Sequence, residues 1–381
     1  MGRLYQLQWS NFDEKYLIMK KICFVFLSLV GISFCGQSKV LTVSNNTNSP
    51  GQYTDLQAAC DAAVSNDTIY IHASEKDYGS IFVRKRLVLI GEGTLPNQQM
   101  LLRAYVSSIT FTHAVESIST ITSAGSQIYG LHAQFYVGTN KDNLGLGGFT
   151  FQRCKGLIAT LGGSYSVSSL EINQFVGSIN LGARLSNSVI SNSILTTIGW
   201  MEADIYSINK SSNNIIRNSI LGNNCTIYGA VVANNIFYDP AVNQNIVTKN
   251  STYTNNLFVY KTTSSLVNGT TTSTGNIVNQ DPMFVNPESL PSIVTQYSFE
   301  TQGPHANFTL SAGSPALTLG TDGTQAGLYG GPTPWVDGGE GVFRYGTMPS
   351  QVPYVTDMDI LNTAVPLNGT LNVKIKAKTQ Q

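Results

Sequence analysis

The stretch Trp200-Met201-Glu202-Ala203-Asp204 is where residue types and spacing in this sequence point most directly to chemistry. Glu202 and Asp204 are two residues apart, so on a strand both carboxyls face the same way. Hydrolysis of a glycosidic bond needs such a pair, one group to protonate the leaving oxygen and one to act as base or nucleophile. Trp200 offers a flat face on which a sugar ring can stack, and Lys210 and Arg217 follow as cationic partners. The candidate site is therefore Glu202 and Asp204 as catalytic carboxyls, with Trp200, Lys210 and Arg217 as substrate contacts. The competing reading is a solvated loop beside a buried tryptophan, since no third partner is visible.

Little else in the chain suggests a reaction. Between residues 144 and 280 the other acids are Glu171 and Asp239. Calcium needs several oxygen ligands, and the segment GTDGTQ around Asp322 lacks the acid series of a calcium loop, its glycines fitting a tight turn instead. His72, His113, His132 and His305 share no motif. Cys60, Cys154 and Cys225 have neither disulfide-framework nor zinc-ligand spacing and read as small buried apolar residues. No metal and no cofactor is expected.

Composition narrows the partners. The chain has 381 residues, 22 basic and 22 acidic, and only 12% are charged, about half the usual fraction. Phosphate backbones are bound by clustered Lys and Arg, so this balance argues against nucleic acid, and no nucleic-acid partner is expected. The polarity comes from Asn, Ser, Thr and Gly, and 42% hydrophobic residues suffice for a core.

The N-terminus reads as an address. Met19-Lys20-Lys21 is a basic start, and residues 22–34 form an apolar run too short to span a bilayer. Gly36 and Ser38 suit cleavage after Ser38. Asp13 and Glu14 do not suit a signal n-region, so translation is expected to begin at Met19. Residues 1–38 are thus assigned to a signal peptide, and the mature protein carries no transmembrane span. Phe34 before Cys35 does not fit a lipoprotein signal.

The elements that must position any site come from a repeat. SNSVISNSILTTI begins at Ser186 and SNNIIRNSILGNN at Ser212. With the central Asn as a register mark, Asn192 and Asn218 are followed by Asn234, Asn255 and Asn276 and preceded by Asn173 and Gln152. Successive marks are 16 to 26 residues apart, a period of short strands without helices, which signals a β-solenoid. Asn tolerates the left-handed backbone of a tight corner. Coils about 4.8 Å apart then stack the marks into an amide column. In this register Cys154 shares a core slot with Phe175, Ile194, Ile220, Ile236 and Leu257. The largest interval, from Asn192 to Asn218, holds the Trp200–Asp204 segment, so a loop is expected to rise there as a wall.

Ahead of the repeats, YTDLQAACDAAVSNDTIYIHA spaces Leu56, Ala59, Cys60, Ala63 and Val64 as a helix face, with Thr54 and Gln57 as a capping box. A solenoid has an open first coil, and an amphipathic lid is needed there. This lid with NDTIYI, the Asn column, and the segments DPMFVNP, FTLSAGSPALTLGTDG and AGLYGG resemble secreted right-handed parallel β-helix proteins of the pectate-lyase-like superfamily, of the kind exported by Bacteroidetes. The resemblance covers about residues 40–331. It implies an all-β solenoid over residues 39–331, at a bacterial cell surface, in the periplasm or outside the cell. It does not imply an activity, because folds host many functions. After residue 331 a Pro- and Gly-rich linker leads to YVTDMDIL and TLNVKIKAK, expected as a β-hairpin packed on the last coil.

The resulting expectation is an exported β-helix that binds a glycan or acts as a surface scaffold without catalysis. The alternative is a divergent polysaccharide lyase or glycoside hydrolase. The sparse acids favour the first.

Overall fold

The computed structural model describes residues 38–47, 49–93, 103–115, 120–137, 147–161, 166–203, 210–238, 245–260, 271–287, 307–335, 354–360 and 373–378. The expected signal peptide lies almost entirely outside them. No helix among the described residues is long and apolar enough to cross a membrane.

The chain forms a parallel β-helix. Sheet 1 has 11 short strands, from Val40–Val43 to Thr272–Thr274, paired in parallel and in coil order. Sheet 2 has 12, running from Ser80–Val83 through the long strands Val176–Ser186, Ile194–Met201 and Ile220–Tyr228 to Ile277–Val278. Alternation puts one set of side chains inside. Phe111, Phe135, Phe149, Phe151 and Phe175 pack there edge-on or tilted, and Phe237 stacks on Phe258 at 4.3 Å. Burying each such ring contributes roughly 2–3 kcal/mol.

The coils from Gly130 onward turn from sheet 1 to sheet 2 through one residue of positive φ: Gly130, Arg153, Gln174, Asn192, Asn218, Asn234, Asn255 and Gly275. The N–H of each corner residue donates to the carbonyl just before the next corner, as from Asn192 to Arg217 and from Asn218 to Ala233, both 3.2 Å. The repeated Asn is therefore a corner residue, as expected. The register departs from expectation at three marks. Gln152 pairs with Asn173, and Asn173 with Ser191, inside sheet 1, so the corners are Arg153 and Gln174. Likewise Gly275, not Asn276, is the last corner. Cys154 is buried, but it aligns with Phe175 and Ser193, not with Ile194.

The amide ladder is one residue further on. Phe175, Ser193, Ser219, Asn235, Asn256 and Asn276 follow their corners and point inward. Ser193 Oγ accepts the Phe175 N–H, Ser219 Oγ that of Ser193, and Asn235 Oδ1 that of Ser219. The Asn256 side chain accepts from the Asn235 backbone and side-chain amides and donates to Val232 O and to Asn276 Oδ1. All of these residues but Asn276 are buried. The opposite corner repeats the device with Ser126, Ser188, Asn214 and Ser251, whose side-chain oxygens accept from Leu87, Leu170, Ser188 and Ala230.

The lid is α1 (Leu56–Ala62). Its N-cap is Asp55, whose carboxylate accepts the Ala58 N–H at 2.7 Å, in place of the expected Thr54/Gln57 box. Gln57 instead caps the sheet edge, donating to Phe82 O and accepting from Phe82 N. Leu56, Ala59, Cys60 and Ala63 are buried, whereas Val64 lies past the helix and is exposed.

Asn307–Leu310 pairs antiparallel with Phe284–Asn286, and the chain then runs back along the outside of the first corner as a strap. Asn255 donates to Leu319 O, Asn234 to Thr321 Oγ1, Asn192 to both Leu328 O and Gly330 O, and Gln174 to Pro334 O. Trp335 ends the strap, its indole N–H donating to Asn192 O and its ring 5.8 Å from the Arg153 guanidinium. The strap's apolar residues, among them Ala316, Ala326, Leu328 and Trp335, cover a column of outward aliphatics: Val176, Ile194, Ile220, Ile236 and Leu257. Packed chain thus continues four residues past the expected boundary at 331. Tyr354–Ile360 and Val373–Lys378 pair antiparallel, as expected of the C-terminal hairpin.

Candidate functional site

Sheet 2 carries a lateral groove of about 370 Å³ beside the Trp200 segment. Strand register explains its lining. Ser178, Thr197, Asn224 and Asn245 form one row across four strands, and Asn180, Gly199 and Thr226 form the next. Alternation directs these residues outward while Ile179, Ile198 and Cys225 fill the core. Register shifts between Gly177 and Ser178 and between Leu195 and Thr197 mark bulges at the groove's edge, where strands re-aim side chains. Gly199 keeps the floor low: a Cβ there would come within 3.3 Å of the Thr226 Cβ.

The lining is neutral. Amides and hydroxyls supply donors and acceptors, and the exposed Met201 supplies an apolar edge. At the rim Glu202 forms an ion pair with Lys249 at 2.8 Å. Both partners are partly solvated, so the pair contributes little to stability. Among the described residues no group of three or more His, Cys, Asp or Glu is placed to hold a metal ion.

The sequence-derived candidates are dispersed. Trp200 is 3% exposed, inside the core, and its indole N–H donates to Tyr228 O at 3.0 Å. Trp200 borders the groove, but a ring so little exposed offers almost no face on which a sugar could stack. Inward alternation from Ile198 placed it in the core; the solvated loop of the competing reading falls on residues outside the described ones. Asp204 lies outside the described residues, so its expected alignment with Glu202 is not described. Ala203 and Lys210 form an antiparallel bridge, and the loop expected to rise as a wall falls on residues 204–209, outside the described ones. Lys210 is exposed. Arg217 sits on sheet 1 (Asn214–Arg217), in the row of Ser191 and Ala233, away from the groove. There it faces the strap. The Thr324 hydroxyl and amide hold the Asp322 carboxyl below its usual range, with Arg217 adding to the effect.

The groove residues themselves were missed. Asn180 and Asn245 belong to no motif, Thr197 and Asn224 fall at the unmatched ends of the two quoted repeats, and the alignment of all four depends on two bulges that strand alternation does not disclose. The cysteines are inert: burial pushes the Cys60, Cys154 and Cys225 thiols up to about 12. No family model matches the chain, and no curated protein is similar to it.

Proposed function

We propose that this protein is an exported β-helix whose sheet 2 groove binds a neutral, extended glycan without cleaving it. The observation that carries this reading is the groove's composition: stacked rows of Asn, Thr and Gly across four strands, with no charged residue among the described lining and the neighbouring Glu202 carboxylate already paired with Lys249. Repeated amides and hydroxyls at coil spacing match a ligand of repeated hydroxyls, and a solenoid's lateral face suits an elongated chain. Membership of the pectate-lyase-like superfamily is part of the same reading, supported by the fold, the corner Asn column and the buried ladders. Export is supported by the basic and apolar run from Met19.

A panel of neutral and acidic polysaccharides, scored for binding and for cleavage, tests it. Binding of a neutral polysaccharide without product release is expected. Asn224→Ala should weaken that binding about 5- to 10-fold, the usual effect of one lost hydrogen bond. Cleavage that disappears in Glu202→Gln would replace this reading with the hydrolase or lyase alternative.

A further inference from the structure

The corner that the strap covers on later coils has a different make-up on earlier ones. Tyr105, His132 and Lys155 occupy one register row, the same row that continues as Val176 and Ile194. Their neighbours Ala104, Leu131 and Cys154 are buried inside, so alternation turns this row outward. His132 is buried and packs edge-on against Tyr105 with ring centroids 5.1 Å apart. Arg103 enters the stack beside them, one residue before Ala104, and Glu92 anchors the approach by accepting the Ala104 N–H.

Charge in this cluster is out of balance. Arg103 stands two residues before Tyr105 with buried Ala104 between them, so it shares the outward face of this row, and its charge acts on both Lys155 and His132. Lys155 is half-buried and forms no ion pair with a described carboxylate. A partly desolvated cation beside a second cation is unfavourable unless it loses its proton or gains an anion. Burial, with Arg103 adding to it, pushes the Lys155 amine down to about 8. Two acids are near: burial pushes the Glu92 carboxyl up to about 7, so it neutralises Arg103 only in part near neutrality, and the Asp77 carboxylate, which accepts from the Ser107 amide and hydroxyl, adds to burial in pushing the Tyr105 phenol up. His132 is pushed down to about 3 and stays neutral across the physiological range.

We propose that Arg103 and Lys155 form a binding site for one oxyanion group, with His132 and Tyr105 as its neutral wall. An Arg fork and an ammonium on long side chains of one outward face, two coils apart with His132 between them, match the several acceptor oxygens of a sulfate or phosphate group. The group can be a free ion or an ester on a larger molecule. Binding takes up a proton at Lys155 and is opposed by ionised Glu92, so it strengthens as pH falls. The site uses none of the groove residues, so each proposal can fail without the other.

Calorimetric titration tests this with inorganic sulfate and, separately, with glucose 6-sulfate, at fixed ionic strength in chloride. Saturable binding of at least one is expected at pH 6, weakened at least 10-fold at pH 9 and lost in Lys155→Met. Tighter binding of the ester than of the free ion would identify the source as an ester, and the reverse a free ion. In parallel, ¹³C-dimethylated lysine resonances report Lys155 in the wild-type protein, independently of how the variant folds. Sulfate should raise its titration midpoint. No saturable binding of either probe at pH 6, equal affinity in Lys155→Met, or a Lys155 midpoint indifferent to sulfate would overturn the proposal.

Discussion

The early and late coils build the same corner from different chemistry. On the early coils the corner residues are Gly130 and Arg153, the inward residues are Leu131 and Cys154, and the outward row is Tyr105, His132 and Lys155. On the late coils the corners are Asn, the inward residues are Ser and then Asn, and the outward row is aliphatic. The change falls between Lys155 and Ser193, where the strap ends at Trp335. An irregular strap has backbone groups that no strand ladder satisfies, and corner asparagines satisfy them. Its apolar side needs apolar neighbours, which the late outward row supplies. The early coils carry no strap among the described residues, and there the titratable groups collect. A solenoid can therefore change its surface chemistry along its axis while every coil keeps one backbone path.

The sharpest break in the comparison is expected at the end of the strap. Trp335→Ala removes a buried indole and should cost about 3–5 kcal/mol. Hydrogen exchange should show the loss along residues 314–335 before the early coils respond. Next, Asn256→Ala deletes a side chain making four ladder hydrogen bonds and leaves buried partners unmatched. A loss of roughly 2–4 kcal/mol is expected in chemical denaturation. The equivalent early change, Cys154→Ala, removes one sulfur from an apolar slot and should cost only about 1–2 kcal/mol. Equal losses at Asn256 and Cys154 would erase the distinction between the polar and apolar corners.

A smaller effect concerns pH. The Lys155 amine is depressed in the folded state, so its contribution is fully present above its unfolded value near 10.5 and is lost as pH falls through about 8. In anion-free buffer, wild-type stability relative to Lys155→Met should decline from pH 10.5 to pH 8, by at most about 3 kcal/mol at roughly 1.4 kcal/mol per pH unit. A flat difference would show that Lys155 is well solvated.

Much of the fold was legible because a left-handed corner admits few residue types, and Asn192, Asn218, Asn234 and Asn255 advertise it. The register slipped at Gln152 and Asn173 because Arg153 and Gln174 adopt the same backbone without a telling side chain. The Asn-Asn pairs at 234–235 and 255–256 hid a division of labour: the first residue turns the corner and holds the strap, the second builds the inner ladder. The strap was visible as closing motifs, but its path depends on contacts 64 to 160 residues apart in sequence. The site was less legible. Trp200 drew attention by its type, yet two-residue alternation from Ile198 already assigned it to the core. The groove's residues are ordinary ones made significant only by register.

The groove can be tested most directly by filling it. Gly199 has unstrained backbone, and a Cβ there meets the Thr226 Cβ at 3.3 Å, a contact the outward Thr226 side chain relieves by shifting a few tenths of an ångström, so Gly199→Phe should fold while its ring occupies the floor. Titrating a neutral oligosaccharide that binds wild-type protein into this variant should show affinity reduced at least 100-fold, with an unchanged unfolding transition. Undiminished binding in correctly folded Gly199→Phe would contradict the assignment of the groove as the glycan site.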